Sequence, residues 1–149
     1  MSSGAIGGLL IRVIGVNATM LPVGTTPQGN IDVTKGIWDV GWYDQSVKPG
    51  QPGSAFIEGH LDWYTGPAVF WNLHRLQIGD EVDLVHPDGT TSRFQVSLVR
   101  QLPFSGIVPD DMLATDGPSR LNMVTCSGTW LKGAHTYSNR LAVTATLIS

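Results

Sequence analysis

Apolar and polar residues alternate in short runs along the chain, and each run is stopped by glycine, proline or small polar residues. "RFQVSLV" and "RLAVTATL" have the period of two expected of strands with one buried face. Runs of this kind over 9–16, 19–24, 30–33, 54–60, 81–86, 92–102, 120–126 and 140–148 predict eight strands. "HPDGTT" reads as a hairpin turn with Asp88-Gly89 at its tip. Two short helical turns are predicted, over 68–76 and over 110–114, the second directly after Pro109. The 18 glycines and 9 prolines are spread evenly, which suits many short strands. The pattern predicts an all-β domain, a closed or nearly closed barrel with one or two short helices. Loops at the rim of such a barrel carry function.

Composition narrows this reading. The 149 residues suit one domain with a single core, so 1–149 is read as one unit. Hydrophobic residues make up 42% and charged ones only 14%, which excludes an extended disordered chain. The net charge of −3 and the lack of a basic run argue against a nucleic-acid partner. Neither GxxxxGK[ST] nor GxGxxG occurs, which sets nucleotide binding aside. No stretch of about 20 apolar residues is present to span a bilayer. "MSSGAIGGLLI" is too short for a signal peptide and lacks its basic start. Residues 1–10 are therefore expected to be disordered, a cloning remnant or the stump of a removed membrane anchor.

Cys126 is the single cysteine, at the end of the run "RLNMVTC". One cysteine excludes an internal disulfide and a CxxC zinc site. Two readings stand: a small buried hydrophobe, or a nucleophile. An ordinary thiol with a pKa of about 8.5 is only a few per cent ionised at pH 7, so catalysis needs a base or a cation nearby. Among the histidines, His60 ends an apolar run and opens into a polar loop, as a rim residue does. His74 reads as packing or surface, His86 as part of the hairpin turn, and His135 as an exposed loop residue that leaves a substrate role open. Asp62, two residues after His60, either orients the imidazole or caps the next turn. Arg140 opens the last strand, as an ordinary edge charge or as a fixed donor fork for an oxyanion. No carboxylate cluster has the spacing of a strong calcium site, and Asp110, Asp111 and Asp116 are explained by capping and solvation. No metal or cofactor is expected.

These residues, in this order, resemble a known set. "GHLD", then "VTC" about 65 residues later, then "YSNRLAV", are similar to the signature of the sortases, cysteine transpeptidases of Gram-positive surfaces. "VFWNLHRLQIGDEVDL" resembles their [FL]-x-x-L-x-x-L-x-x-G-D-x-[VI] segment. "GWYDQSVKPGQPGSAFIEGH" resembles the lead-in to the histidine in the actinobacterial-type class E and F enzymes. The matches run from about residue 11 to 148. One departure is "NMVTC" where many members read "TLxTC", which bears on sub-class and leaves the Thr-Cys pair intact.

The resemblance implies an eight-stranded sortase-like β-barrel, with Cys126 as nucleophile, His60 as general acid and Arg140 as oxyanion stabiliser. Thr125 would line the substrate groove. Asp62, Trp63 and Trp130 stand beside these residues as candidate substrate-binding positions, the two tryptophans as apolar walls. The implied substrates are surface proteins with a Leu-Pro-x-Thr-Gly-like sorting signal, cleaved between threonine and glycine. The implied acceptor is a peptidoglycan precursor or a pilin amine. The implied location is the outer face of the cell membrane, reached through an N-terminal anchor. Two alternatives compete. L,D-transpeptidases are also β-rich, but show Ser-x-Gly-Cys and His-Gly where this chain has Cys-Ser-Gly and Gly-His. A non-catalytic β-barrel binding module with a structural cysteine would bury its thiol.

Overall fold

The structure, a computed structural model, describes residues 4–104 and 108–149. Eight strands close into a barrel: β1 (Gly7–Ile11), β2 (Val16–Val23), β3 (Val40–Tyr43), β4 (Gly53–Gly59), β7 (Glu81–Val85), β8 (Thr91–Pro103), β9 (Ser119–Leu131) and β10 (Thr136–Leu147). Around the barrel they run β1-β2-β3-β4-β9-β10-β8 and then β7, which returns to β1. A small ribbon, β5 (Asp62–Trp63) and β6 (Gly66–Pro67), lies between β4 and β7 in the chain. Most pairs are antiparallel, but β2–β3 and β4–β9 are parallel. Parallel neighbours need long connections, and those connections build the walls of the cleft described below.

Alternation along the strands divides their residues between two faces. Every barrel strand gives residues to one buried cluster, including Leu9, Met20, Ile57, Val82, Phe94, Met123 and Val143, which is the barrel interior. Residues of opposite parity on β4, β9 and β10, namely Phe56, Val124 and Ala142, form a second cluster on the outer wall with Met112. The 3-10 turn Asp110–Leu113 and Ile31 of the β2–β3 loop cover that second cluster. The interior is stoppered by the segment after β6, whose Phe70, Leu73 and Leu76 are buried in it. Gly59 is required there: a Cβ on it would meet the Phe70 ring at 2.5–2.9 Å.

Several expectations are corrected. The run 9–16 is two strands: β1 ends at Ile11, a 3-10 turn covers Arg12–Ile14, and Gly15 at φ 71° turns the chain back. β-branched residues in that turn imitate a strand, but Arg12 leaves it to reach Asp83 on β7. Residues 7–10 lie in β1, so the expected disorder does not hold for them. Segment 30–33 makes only one bridge, Thr25 to Ile31, and the third barrel strand is β3 instead. Gly41 hides β3 in the sequence by reading as a breaker. Its missing side chain admits Val23 and Thr34, each within 3.2 Å of where a Cβ would stand. The helical turns are 3-10 turns, three among the described residues, and the one within 68–76 shrinks to Leu73–Arg75. Cys126 is not at a strand end, because β9 continues five residues further to Leu131 as one arm of a hairpin with β10.

Candidate active site

Strand register brings three distant residues to one level of the barrel wall. Arg140 of β10 is the direct cross-strand partner of Cys126 of β9. Neighbouring strands lie about 4.8 Å apart, so the two side chains stand side by side on the outer face. β4 runs parallel to β9 with Glu58 opposite Val124. Carrying that register two residues on sets His60, the first residue past β4, level with Cys126. On the far side Leu102 of β8 pairs with Arg140. One rung thus reads His60, Cys126, Arg140, Leu102. It crosses a cleft of about 1230 Å³ lined by all seven residues singled out from the sequence.

Each of the seven has a distinct setting. The His60 ring donates from Nε2 to the Thr34 carbonyl at 2.8 Å and packs edge-on against Trp63, centroids 6.0 Å apart. That carbonyl belongs to the β2–β3 loop, so the long parallel connection orients the ring. Asp62 does not do so: its carboxylate accepts the Tyr137 hydroxyl at 2.5 Å and ties the β5 segment to the β9–β10 hairpin. Thr125 points inward and is only 2% exposed. Its hydroxyl donates to the Gly59 carbonyl at 2.7 Å, fastening the end of β4 to β9 between the positions of His60 and Cys126. Trp63 and Trp130, 50% and 48% exposed, stand at the cleft. Trp130 packs on Tyr137 with centroids 5.2 Å apart. Of the other histidines, His135 lines the cleft from the hairpin tip, while His74 and His86 bond locally to the Trp71 carbonyl and the Ser92 hydroxyl.

Arg140 is held in place. Nη1 donates to the Tyr137 and Asn139 carbonyls, at 3.2 and 3.0 Å, and Nη2 to the Thr136 hydroxyl at 3.0 Å. The Phe104 ring lies 5.9 Å from its guanidinium carbon. A guanidinium has five N–H donors, so Nε–H and one Nη2–H remain for a ligand. Gly128, at φ 83°, sits where the β9–β10 register shifts, and any Cβ on it would collide with Ser138 and Asn139.

Burial pushes the Cys126 thiol above its ordinary value; Arg140 opposes this, and the charges of Glu58 and Asp62 add to it. Cys126 is therefore a thiol at rest. Burial pushes the Glu58 carboxyl up to about 8, against the pull of Arg140 and with a further push from Asp32. Tyr137 is raised to about 12, first because its hydroxyl donates to Asp62. Among the described residues no three histidine, cysteine or carboxylate side chains converge as a metal site.

Sequence reasoning missed Glu58, Tyr137 and the Thr34 carbonyl. Glu58 leaves a signal, a lone charge in "SAFIEGH", two residues before His60 and so on its face. Tyr137 stands in "YSNRLAV" without a partner near in sequence. A backbone carbonyl leaves no signal.

A cysteine beside an arginine on one wall of a closed eight-stranded barrel, with a histidine at the adjoining strand end, defines a thiol acyl-transfer class of site. The family model for the Sortase domain matches residues 9–148, and the chain belongs to the sortase family of cysteine transpeptidases. A search of curated proteins gives no match. Among solved structures, sortase C-1 from Actinomyces oris is similar with a TM-score of 0.78 at 20% identity, over 99% of this chain and 76% of that one. Streptococcus agalactiae sortase C1, in complex with MTSET, gives 0.75 at 21%, over 99% and 71%. The lid mutant of sortase A from Corynebacterium diphtheriae gives 0.73 at 21%, over 97% and 70%. At these identities the likeness is one of fold.

Proposed function

We propose that Cys126, His60 and Arg140 carry the transpeptidation, on a surface protein with a Leu-Pro-x-Thr-Gly-like signal. Nδ1 of His60 takes the Cys126 proton as the sulfur attacks the threonine carbonyl carbon. Negative charge moves to the carbonyl oxygen, where the Nε–H and remaining Nη2–H of Arg140 receive it. The bond to the glycine nitrogen breaks, and the leaving amine takes a proton from His60. A thioester joins the threonine to Cys126. An incoming amine then attacks the thioester and gives a proton to His60, and the expelled sulfur takes that proton and returns to the resting thiol. With Nε2–H given to Thr34, Nδ1 is the nitrogen that exchanges the proton.

The observation that carries this reading is the single rung of His60, Cys126 and Arg140 across three adjacent strands. Thr125 is a positioning residue here, through its bond to Gly59. Trp63 and Trp130 flank the entering and leaving amines. The acceptor is a peptidoglycan precursor or a pilin amine, and the enzyme works at the outer cell surface, anchored to the membrane. Among the described residues no helix is long and apolar enough to cross a membrane. The "GWYDQSVKPGQPGSAFIEGH" lead-in supports class E or F. The test is incubation with sorting-signal peptides and a soluble amine, followed by mass spectrometry. A peptide thioester on Cys126 and an amide product are expected, both absent from Cys126→Ala and His60→Ala. Turnover in either variant with an unchanged circular dichroism spectrum would overturn the assignment.

A further inference from the structure

The outer part of the β9–β10 hairpin leaves the barrel. β4 pairs with β9 only as far as Val124, and β8 with β10 only as far as Asn139. Past those points β9 and β10 continue as a two-stranded ribbon over 127–138, an element that holds little shape by itself. Among the described residues, two hydrogen bonds reach this ribbon from other elements. The Phe104 N–H donates to the Ser138 carbonyl at 3.2 Å, and the Tyr137 hydroxyl donates to the Asp62 carboxylate at 2.5 Å.

Arg140 is fastened to the ribbon. The three acceptors of its guanidinium, the Tyr137 and Asn139 carbonyls and the Thr136 hydroxyl, lie in it or at its base. His60 belongs to the other side of the cleft. Its ring is held by the Thr34 carbonyl. Its own carbonyl accepts the Phe70 N–H, and the Leu61 carbonyl accepts the Ala68 N–H, both at 3.0 Å. The chain that leads from His60 to Asp62 is thus pinned to the segment that stoppers the barrel. Among the described residues, Asp62 to Tyr137 is the one side-chain hydrogen bond between the His60 segment and the ribbon. Tyr137 is aimed for it. Three residues from Arg140, it would face the opposite way on a regular strand, yet both line the cleft. The register shift between Tyr137 and Asn139 supplies the change of face. Its hydroxyl keeps its proton, with a pKa raised to about 12, first by the bond itself.

We propose that Asp62 and Tyr137 are positioning residues for the transpeptidation, their bond fixing the span between the His60 imidazole and the Arg140 guanidinium on either side of Cys126. The proposal rests on the roles given to His60 and Arg140 above. Both must meet one carbonyl group as the sulfur attacks it, and a misplacement of about 1 Å there costs on the order of a hundredfold in rate. Without the bond the ribbon carries Arg140 away while His60 stays. Negative charge reaches Arg140 only in the transition state, so a wrong span lowers kcat and leaves KM in place.

The experiment compares the parent protein with Tyr137→Phe, Asp62→Ala, Asp62→Asn and the double variant Tyr137→Phe/Asp62→Ala, using sorting-signal peptides and a soluble amine. Rates are taken per titrated Cys126 thiol, after circular dichroism has checked each fold. Tyr137→Phe, which changes no charge, and Asp62→Ala should each lower kcat by about ten- to a hundredfold with KM within about twofold of the parent. The double variant should be no slower than the slower single one, and Asp62→Asn, which keeps an acceptor, should recover most of the rate. Amide hydrogen exchange, read in the same proteins, should rise over 127–138 in both single variants and stay unchanged in β4 and β7. A purely structural bond would lower Tm and leave kcat per thiol at the parent value. That result in Tyr137→Phe, a loss confined to KM, or losses that multiply in the double variant would overturn the proposal. If no peptide forms a thioester with the parent protein, the transpeptidase assignment fails, whereas unchanged exchange over 127–138 in both single variants overturns the Asp62–Tyr137 link whatever the peptides do.

Discussion

Replacing Glu58 by glutamine should stabilise the fold, and by an amount that grows with pH. The carboxyl is displaced from 4.5 to about 8, with burial the main cause. Between those values the unfolded chain has released the proton that the folded chain keeps. The folded state binds more protons, so stability falls as pH rises through this window and levels off above about 8. At about 1.36 kcal/mol per pKa unit, the ceiling is about 5 kcal/mol. Glu58 faces a wet cleft, and water entering around the charged form relieves part of the penalty, so about 2–3 kcal/mol is expected. For a chain of this size that is on the order of 5–10 °C in Tm. Glutamine keeps the shape and does not titrate. Groups remote from Glu58 titrate alike in both proteins and cancel in the difference, and Cys126, which feels Glu58, adds to it only at the alkaline end. Thermal melts of parent and Glu58→Gln from pH 4.5 to 9.5 should show a gap near zero at the acid end that opens steadily to pH 8. A gap independent of pH, or one that closes as pH rises, would refute the argument that a desolvated carboxyl is built into the cleft.

The remaining predictions concern the rung and its supports. Arg140→Ala should lose at least about a hundredfold in kcat/KM, with Arg140→Lys recovering only part, since a lysine lacks the planar fork; full recovery in the lysine variant would exclude an oxyanion role. Alkylation of Cys126 by iodoacetamide should rise with pH beyond the range of an ordinary thiol, and Glu58→Gln should shift that profile toward lower pH because a neighbouring negative charge is gone; a thiolate fully formed at pH 6 by ultraviolet absorbance would contradict this. Thr125→Val should destabilise the protein by about 1–3 kcal/mol, since the buried Gly59 carbonyl loses its donor, and denaturant melts measure it. Gly59→Ala should cost about 1–3 kcal/mol or more by forcing Phe70 from its place, again read by melts.

Strand type was legible wherever alternation was strong. β8 lies where the pattern put it because one buried face leaves a period of two, whereas β4, β7 and the cores of β9 and β10 are buried on both faces and show as short apolar runs between turn residues. β3 was hidden because its glycine is defined by what packs against it from β2 and the loop. The outer half of the β9–β10 hairpin was hidden because past Cys126 the strand has no buried face and so no alternation to read. At the site, the types of Cys126, His60 and Arg140 were visible in the motifs, but their common level was not. That level depends on the parallel β4–β9 pairing, which no local pattern encodes. Thr125 and Asp62 both line the cleft, but their hydrogen-bond partners, a strand-end carbonyl and a tyrosine hydroxyl, lie 66 and 75 residues away and leave no local signal.

The same parallel pairing bears on the order in which the molecule acquires chemistry during folding. Cys126 and Arg140 sit on adjoining arms of one hairpin, 14 residues apart, a short loop to close. His60 joins them only when β4 slots between β3 and β9, a contact across 66 residues, and such distant pairings form slowly. A refolding chain thus passes through a stage with its thiol and guanidinium already side by side and the imidazole still absent. In that interval Cys126 has lost the shielding of β4 and the β2–β3 loop, while Arg140 still favours its ionised form. Cys126 is therefore more open to oxidation before β4 docks than after, and protection of the thiol reports that docking.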